Sequence, residues 1–205
     1  MARLADRIMR RARAQAARRA RLVFTPKDFV DLGDRAAVDQ ALSRLAKDGK
    51  LRRFRRGFYD IPKVNPILKR VASPDIDAVV DAIARRDAVT IVANGMAAAN
   101  RLGLTNAVSA KNDYLTDGPS RTLMIGKRVV RLRHASHKLM ALKNCPAGDV
   151  VRALHWLGPD MASDKAVVDT LRRRLPTQVK RDLAKAKPSL AGWTAKVADR
   201  LVATA

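Results

Sequence analysis

Asp113, Asp117 and Lys127 are the residues whose types and spacing come nearest to metal-assisted hydrolysis. Two carboxylates can hold a divalent cation over a scissile phosphate while an ammonium steadies the developing charge. Such an arrangement wants an acid two residues before the lysine, and that position is Ile125, which offers no ligand. His134 and His137 form an H-x-x-H pair beside Lys138, with no third ligand apparent. Cys145 is the only cysteine, so there is no intrachain disulfide and no cysteine cluster for zinc, which fits a reducing cytoplasm. Pro146 follows it and no base accompanies it, as a nucleophile would require. All 19 acids are aspartates, which excludes any mechanism that specifically needs a glutamate base. Asn94 and Gly95 lack the rest of a phosphate-cradling loop. The expectation is a protein without catalytic residues, metal or cofactor.

Binding chemistry is better represented. The chain of 205 residues carries 42 Lys and Arg for a net charge of +23, and its 28 arginines outnumber its 14 lysines. Arginine favours bidentate contacts to phosphate and guanine, so a polyanion is the expected partner. A hydrophobic content of 47% is that of a folded chain rather than a basic tail. No apolar run approaches the roughly 20 residues needed to cross a membrane.

The candidate contacts concentrate between Phe24 and Tyr59. Thr25 can cap a short helix opened by Pro26, with Asp28 in its third position. Leu32 and Gly33 break it. Asp34 can cap a longer helix over 35–47, in which Ala37, Val38, Ala41, Leu42 and Leu45 recur at spacings of three and four. The opposite face then presents Arg35, Gln40, Ser43, Arg44 and Lys47, which can reach base edges or phosphates if the helix lies in a major groove. Gly49 follows as a C′ residue. Leu51–Phe54, a turn at Arg55, Arg56 and Gly57, and then Phe58 and Tyr59 read as a basic hairpin, whose candidate contacts are Arg53, Arg55 and Arg56. Together these elements predict a helix-turn-helix with a wing.

An Arg-rich, acid-poor start also describes a transit peptide, but the first residues read as a mature helix. Leu4, Ile8, Met9 and Ala12 form an apolar stripe. Arg7, Arg10, Arg11, Arg13, Arg18 and Arg19 can lie along phosphates, Arg10 and Arg11 being the chosen contacts.

Pro62, Pro66 and Pro74 punctuate a connector, which sets the expected domains at 1–65 and 66–205. Beyond it, a helix is expected over 75–86, a strand over 89–92 and an alanine-rich helix over 95–102. An antiparallel meander follows over 114–116, 121–125 and 129–133, and then helices over 147–157, 163–175, 177–186 and 190–203. The fold class is therefore α+β: an N-terminal winged helix-turn-helix, then an α+β domain with a small antiparallel sheet and a helical C-terminal part.

Two stretches carry a family resemblance, TPKDFVDLGDRAAVDQALSRLAKDGKLRRFRRGFYDIP at 25–62 and NGMAAANRLGLTNAVSAKNDYLTDGPSRTLMIGKRVVRLRH at 94–134. Together they resemble the AbiEi-type antitoxins of bacterial type IV toxin-antitoxin systems, and the resemblance runs over nearly the whole chain. It implies an antitoxin that represses its own operon by binding inverted repeats through its winged helix, and a nucleotidyltransferase toxin as its counterpart. The matching DNA-binding positions are Arg35, Gln40, Ser43 and Arg44 on the second helix, and Arg53, Arg55 and Arg56 on the wing. The basic second domain departs from the family and leaves room for nucleic-acid contacts there. The sequence reading is a cytoplasmic autorepressor acting on double-stranded DNA at its own promoter, as a dimer if paired half-sites are used. Its rivals are an antitoxin working by direct contact with the toxin, and a nonspecific nucleic-acid-binding protein.

Overall fold

A computed structural model describes residues 3–18, 22–67, 69–107, 112–140, 142–143 and 145–203. Among them are eight α-helices and nine short strands, an α+β chain with small sheets. The residues fall into two compact units, one of Met1–Val89 with Leu123–Val129, the other of Thr90–Thr122 with Val130–Ala205.

In the first unit, helix α1 (Leu4–Arg18) buries Ile8, Met9 and Ala12, the stripe expected from their spacing. Strand β1 (Val23–Phe24) leads into a single 3₁₀ turn, Pro26–Phe29. The Asp28 carboxylate accepts from the Thr25 N–H at 2.7 Å, so the acid holds the start of the turn. Helix α2 (Arg35–Lys47) buries Val38, Ala41, Leu42 and Leu45. It ends at Gly49, whose φ of 67° suits a residue without Cβ. Strands β2 (Arg52–Arg55) and β3 (Phe58–Asp60) pair antiparallel around Arg56 and Gly57, with a bulge between Arg53 and Arg55. The turn is thus two residues, and Arg55 belongs to the strand. β1 adds to the far side of β3 and gives the order β1-β3-β2, a third strand too short to be recognised by alternation. Ile8, Phe24, Phe29, Leu42, Leu45 and Leu51 make the core.

The connector forms a further hairpin, β4 (Val64–Asn65) with β5 (Arg70–Val71). Helix α3 (Ile76–Asp87) then packs back onto this unit, so its compact body extends past the expected boundary at residue 65. The ties are specific. Arg85 donates to the Val23 carbonyl at 2.9 Å and meets Asp28 at 3.3 Å, Lys27 donates to the Arg86 carbonyl at 3.1 Å, and Arg86 lies over the Phe58 ring at 4.6 Å.

In the second unit, β6 (Ile91–Ala93) runs into α4 (Gly95–Arg101), which Asn94 caps by accepting from the Ala97 N–H at 2.9 Å. Strands β7 (Asn112–Thr116), β8 (Arg121–Ile125) and β9 (Arg128–His134) follow, in the sheet order β6-β7-β9-β8, the stretch Leu123–Val129 that ends β8 and opens β9 being grouped with the first unit. The expected meander is corrected here, since β7 and β9 run parallel and adjacent while β8 takes the edge. The β7–β8 connection is pinned across the end of β9. Its Asp117 accepts from the Thr90 N–H at 2.7 Å, and its Ser120 hydroxyl accepts from the His134 N–H at 2.8 Å. Pro119 between them has no N–H to continue a ladder.

The helical part is α5 (Ala147–Ser163), α6 (Lys165–Arg174), α7 (Thr177–Ala186) and α8 (Gly192–Val202). Gly158 breaks α5 with φ 80° and ψ 167°, just before Pro159, as the residue types predict. Val150, Leu154, Leu171, Leu183 and Leu201 are central to its core.

Candidate nucleic-acid interface

The outward face of α2 follows from its cap and its buried stripe. The Asp34 carboxylate accepts from the Ala37 N–H at 2.8 Å, which starts the helix at Arg35 and fixes its rotation once Val38, Leu42 and Leu45 are inside. Arg35, Gln40, Arg44 and Lys47 are left exposed, and Ser43 is half-buried. Arg35 is engaged by Asp39, one turn on, at 3.0 Å. Such an exposed pair is worth a few tenths of a kcal/mol, about 0.3–0.5, and yields easily to a phosphate. Arg44 and Lys47 have no ion-pair partner among the described residues, so their charge is available to a ligand.

The four arginines of the hairpin divide by role. Arg52 is structural: its guanidinium forms a two-point pair with Asp60 across the ladder, and its remaining arm donates to the Ala72 carbonyl at 2.6 Å. Arg55 donates to the Met124 carbonyl at 3.0 Å, in the segment that packs with this unit. Arg53 and Arg56 are exposed and have no ion-pair partner among the described residues. Gly57, with φ 74°, places Arg56 at the apex of the turn.

On α1, Arg11 forms a two-point pair with Asp31, at 2.6 and 2.7 Å, which joins this helix to the end of the 3₁₀ turn. The hydrogen bond from Arg11 holds the Asp31 carboxyl below its ordinary range, and the guanidinium is raised in return. Arg7 donates to the Leu32 carbonyl at 3.2 Å. Arg10 remains exposed. It lines a shallow depression with Asp6, Met9, Arg13, Leu45 and Lys50. Lys50 was not singled out by the sequence reading, because only the packing of α1 against α2 brings position 50 beside positions 10 and 13. Arg19 lies outside the described residues.

Of the residues weighed for chemistry, Asp117, His134 and Gly95 have other occupations. Asp117 holds the β7–β8 connection and accepts from Lys143 Nζ at 2.6 Å, a hydrogen bond that keeps its carboxyl below the usual range. His134 Nδ1 lies 3.1 Å from the Gly118 carbonyl. Among the described residues no group of three or more His, Cys or acidic side chains is placed to hold a metal ion. Gly95 serves close packing: a Cβ there would lie 2.5 Å from the Arg152 carbonyl oxygen and from Trp156 Cβ. Among the described residues, no helix is long and apolar enough to cross a membrane.

The profile of a family described as "Family of unknown function (DUF6088)" matches residues 9–181, which takes in all of α2, the hairpin and the mixed sheet. The chain belongs to the DUF6088 family. This DUF6088 chain is also similar to a solved structure, the RV2827C protein from Mycobacterium tuberculosis. The identity is 15%, over 98% of this chain and 81% of that one, with a TM-score of 0.39. No curated protein matches the chain.

Proposed function

We propose that this DUF6088 protein binds double-stranded DNA through its first unit as a winged helix-turn-helix, with α2 as the recognition helix and the β2–β3 hairpin as the wing. The observation that carries the reading is the set of exposed cations without ion-pair partners, Arg44 and Lys47 on α2 with Arg53 and Arg56 on the hairpin. Neighbouring arginines, Arg52 above all, are occupied structurally. Gln40 and Ser43 stand beside Arg44 as candidates for base edges. Arg10, Arg13 and Lys50 add phosphate contacts along α1. Arg35, Arg11 and Arg55 contribute less, since each already has a partner.

In this reading the protein is a cytoplasmic antitoxin and autorepressor of its own operon. The resemblance to AbiEi-type antitoxins supports that assignment, with a nucleotidyltransferase toxin as the counterpart and no catalytic residue required. Dimeric binding to inverted repeats would supply the two half-sites such a regulator uses. A second reading, contact with the toxin itself, is favoured by Trp156 and Met161 of α5, which are 41% and 59% exposed.

The test is a gel-shift titration of the full chain against its own promoter and a scrambled duplex at about physiological salt. A preference of about a thousandfold or more for the promoter is the expected result. Equal binding to both duplexes removes the repressor assignment. Co-purification with the adjacent toxin, without promoter preference, would establish the protein-contact reading instead.

A further inference from the structure

The hairpin that joins β4 to β5 exposes an apolar face that its own unit leaves uncovered. Val64 and Val71 stand directly across the ribbon from one another, 63% and 49% exposed, and Ile67 near the tip is 87% exposed. Single exposed aliphatics are ordinary, but three on one four-residue ribbon and its tip mark a contact surface. The tip is held by local bonds. The Asn65 side chain accepts from the Ile67 N–H at 2.9 Å, and the Lys69 N–H donates to the Asn65 carbonyl at 2.9 Å. The stretch from Ile61 to Pro74 contains no acid, while Lys63, Lys69 and Arg70 are all exposed on the same hairpin.

We propose that this hairpin is a second DNA-contacting arm, whose Ile67 enters the minor groove as an apolar wedge while Lys63, Lys69 and Arg70 contact the flanking phosphates. The inference rests on the reading of the first unit as a DNA-binding module. Three features point to DNA as the occupant. The charge is of one sign, as the phosphate rims of a groove require: Lys63, Lys69 and Arg70 are exposed and no acid lies between Ile61 and Pro74. Aliphatic wedges on basic elements are a recurrent means of unstacking a base step and bending the duplex. The root of the arm is continuous with the proposed wing: Arg52, the first residue of β2, donates to the Ala72 carbonyl, and the Ala72 N–H donates to the Lys63 carbonyl at 2.8 Å. One anchor therefore positions both elements.

The experiment uses the full chain with a duplex of about 30 base pairs rich in A·T, carrying 2-aminopurine internally and a donor–acceptor pair at its ends. Wild-type binding should raise the 2-aminopurine emission and shorten the end-to-end distance. Ile67→Ala should abolish both signals and weaken binding by about tenfold. Its melting temperature should be unchanged, because the side chain is almost wholly exposed. Lys69→Ala with Arg70→Ala should reduce the slope of log affinity against log salt by about two. If Ile67→Ala binds and bends like the wild type while Arg53→Ala with Arg56→Ala weakens binding, the arm is not a DNA contact and the DNA-binding reading stands. If the wild type binds no duplex at all, both fall. If vesicles containing phosphatidylserine, and not the duplex, show the sensitivity to Ile67→Ala, the arm belongs to a lipid surface and the proposal is overturned.

Discussion

Helix ends account for many of the cations in the second unit, whereas Arg44 and Lys47 of α2 and Arg53 and Arg56 of the β2–β3 hairpin in the first have no such use. In the second unit, Arg174 donates to the Leu102 carbonyl at the end of α4, and Arg200 to the Ser163 carbonyl at the end of α5. Lys180 donates to the Arg172 carbonyl in the last turn of α6, and Arg172 itself to the Ala203 carbonyl after α8. Cations in these places satisfy the orphan carbonyls of a helix C-terminus and meet its negative dipole end. Lys143 and Arg101 are held by Asp117 and Asp149. In the first unit, Arg44, Lys47, Arg53 and Arg56 project from a capped helix and a tight turn without an ion-pair partner among the described residues. A net charge of +23 therefore describes two populations, one built into the fold and one exposed without an ion-pair partner among the described residues. Charge by itself is a poor map of an interface.

The largest effect should come from emptying the second population. Arg44→Ala, Lys47→Ala, Arg53→Ala and Arg56→Ala combined should weaken DNA binding by about a hundredfold to a thousandfold at physiological salt, with little change in melting temperature. Fluorescence anisotropy across a salt series measures it, and an unchanged salt slope would dissolve the distinction between the units. Arg44→Ala alone should cost about 1–3 kcal/mol on the promoter if that arginine reads a guanine. An equal loss on a scrambled duplex would make it a phosphate contact.

Stability effects should fall on the other side of the comparison. Gly95→Ala drives a methyl into the Arg152 carbonyl and Trp156, and forcing α4 from α5 should cost about 1–3 kcal/mol. Denaturant melts would show the loss, with DNA affinity retained. Arg174→Gln with Arg200→Gln should remove about 1 kcal/mol in total by the same measurement, again sparing DNA binding. A loss of DNA affinity with no loss of stability would move these arginines into the ligand-facing population.

The smallest expected effect is a pH dependence confined to the second unit. Burial pushes the His155 imidazole below its ordinary 6.5, where it packs on Trp193 at 5.0 Å between ring centroids. The unfolded chain therefore takes up a proton near 6.5 more readily than the folded one. The contribution is complete above about pH 6.5 and is lost as the pH falls below it. Melting temperatures between pH 7.5 and 5.5 should decline slightly, and His155→Gln should flatten that decline.

Local chemistry made much of this legible. The cap at Asp34, the stripes of α1 and α2, the left-handed glycine at 49 and the break at Gly158 follow from residue type and spacing, because short-range sterics and hydrogen bonding decide them. The outward side chains of α2 could be named from the sequence for the same reason. What could not be read were relations across long separations. Arg52 looked like its neighbours until Asp60 and Ala72 occupied it, Lys50 gained meaning only beside Arg10 and Arg13, and α3 joined the first unit through Arg85 and Arg86.

Strand order shows the same limit. Alternation identified the pieces that became β7, β8 and β9, yet the adjacency of β7 and β9 depends on where Asp117 and Ser120 find partners, at Thr90 and His134. The sequence by itself determined the main helical segments and the start of α2, though not that helix resumes after Gly158 as far as Ser163, and it determined that a large excess of arginine had to be accommodated. Only the tertiary structure decided which arginines that accommodation uses up. An ion pair or a capped carbonyl is a contact between distant residues, formed when packing brings them together, and no periodicity in the chain records it.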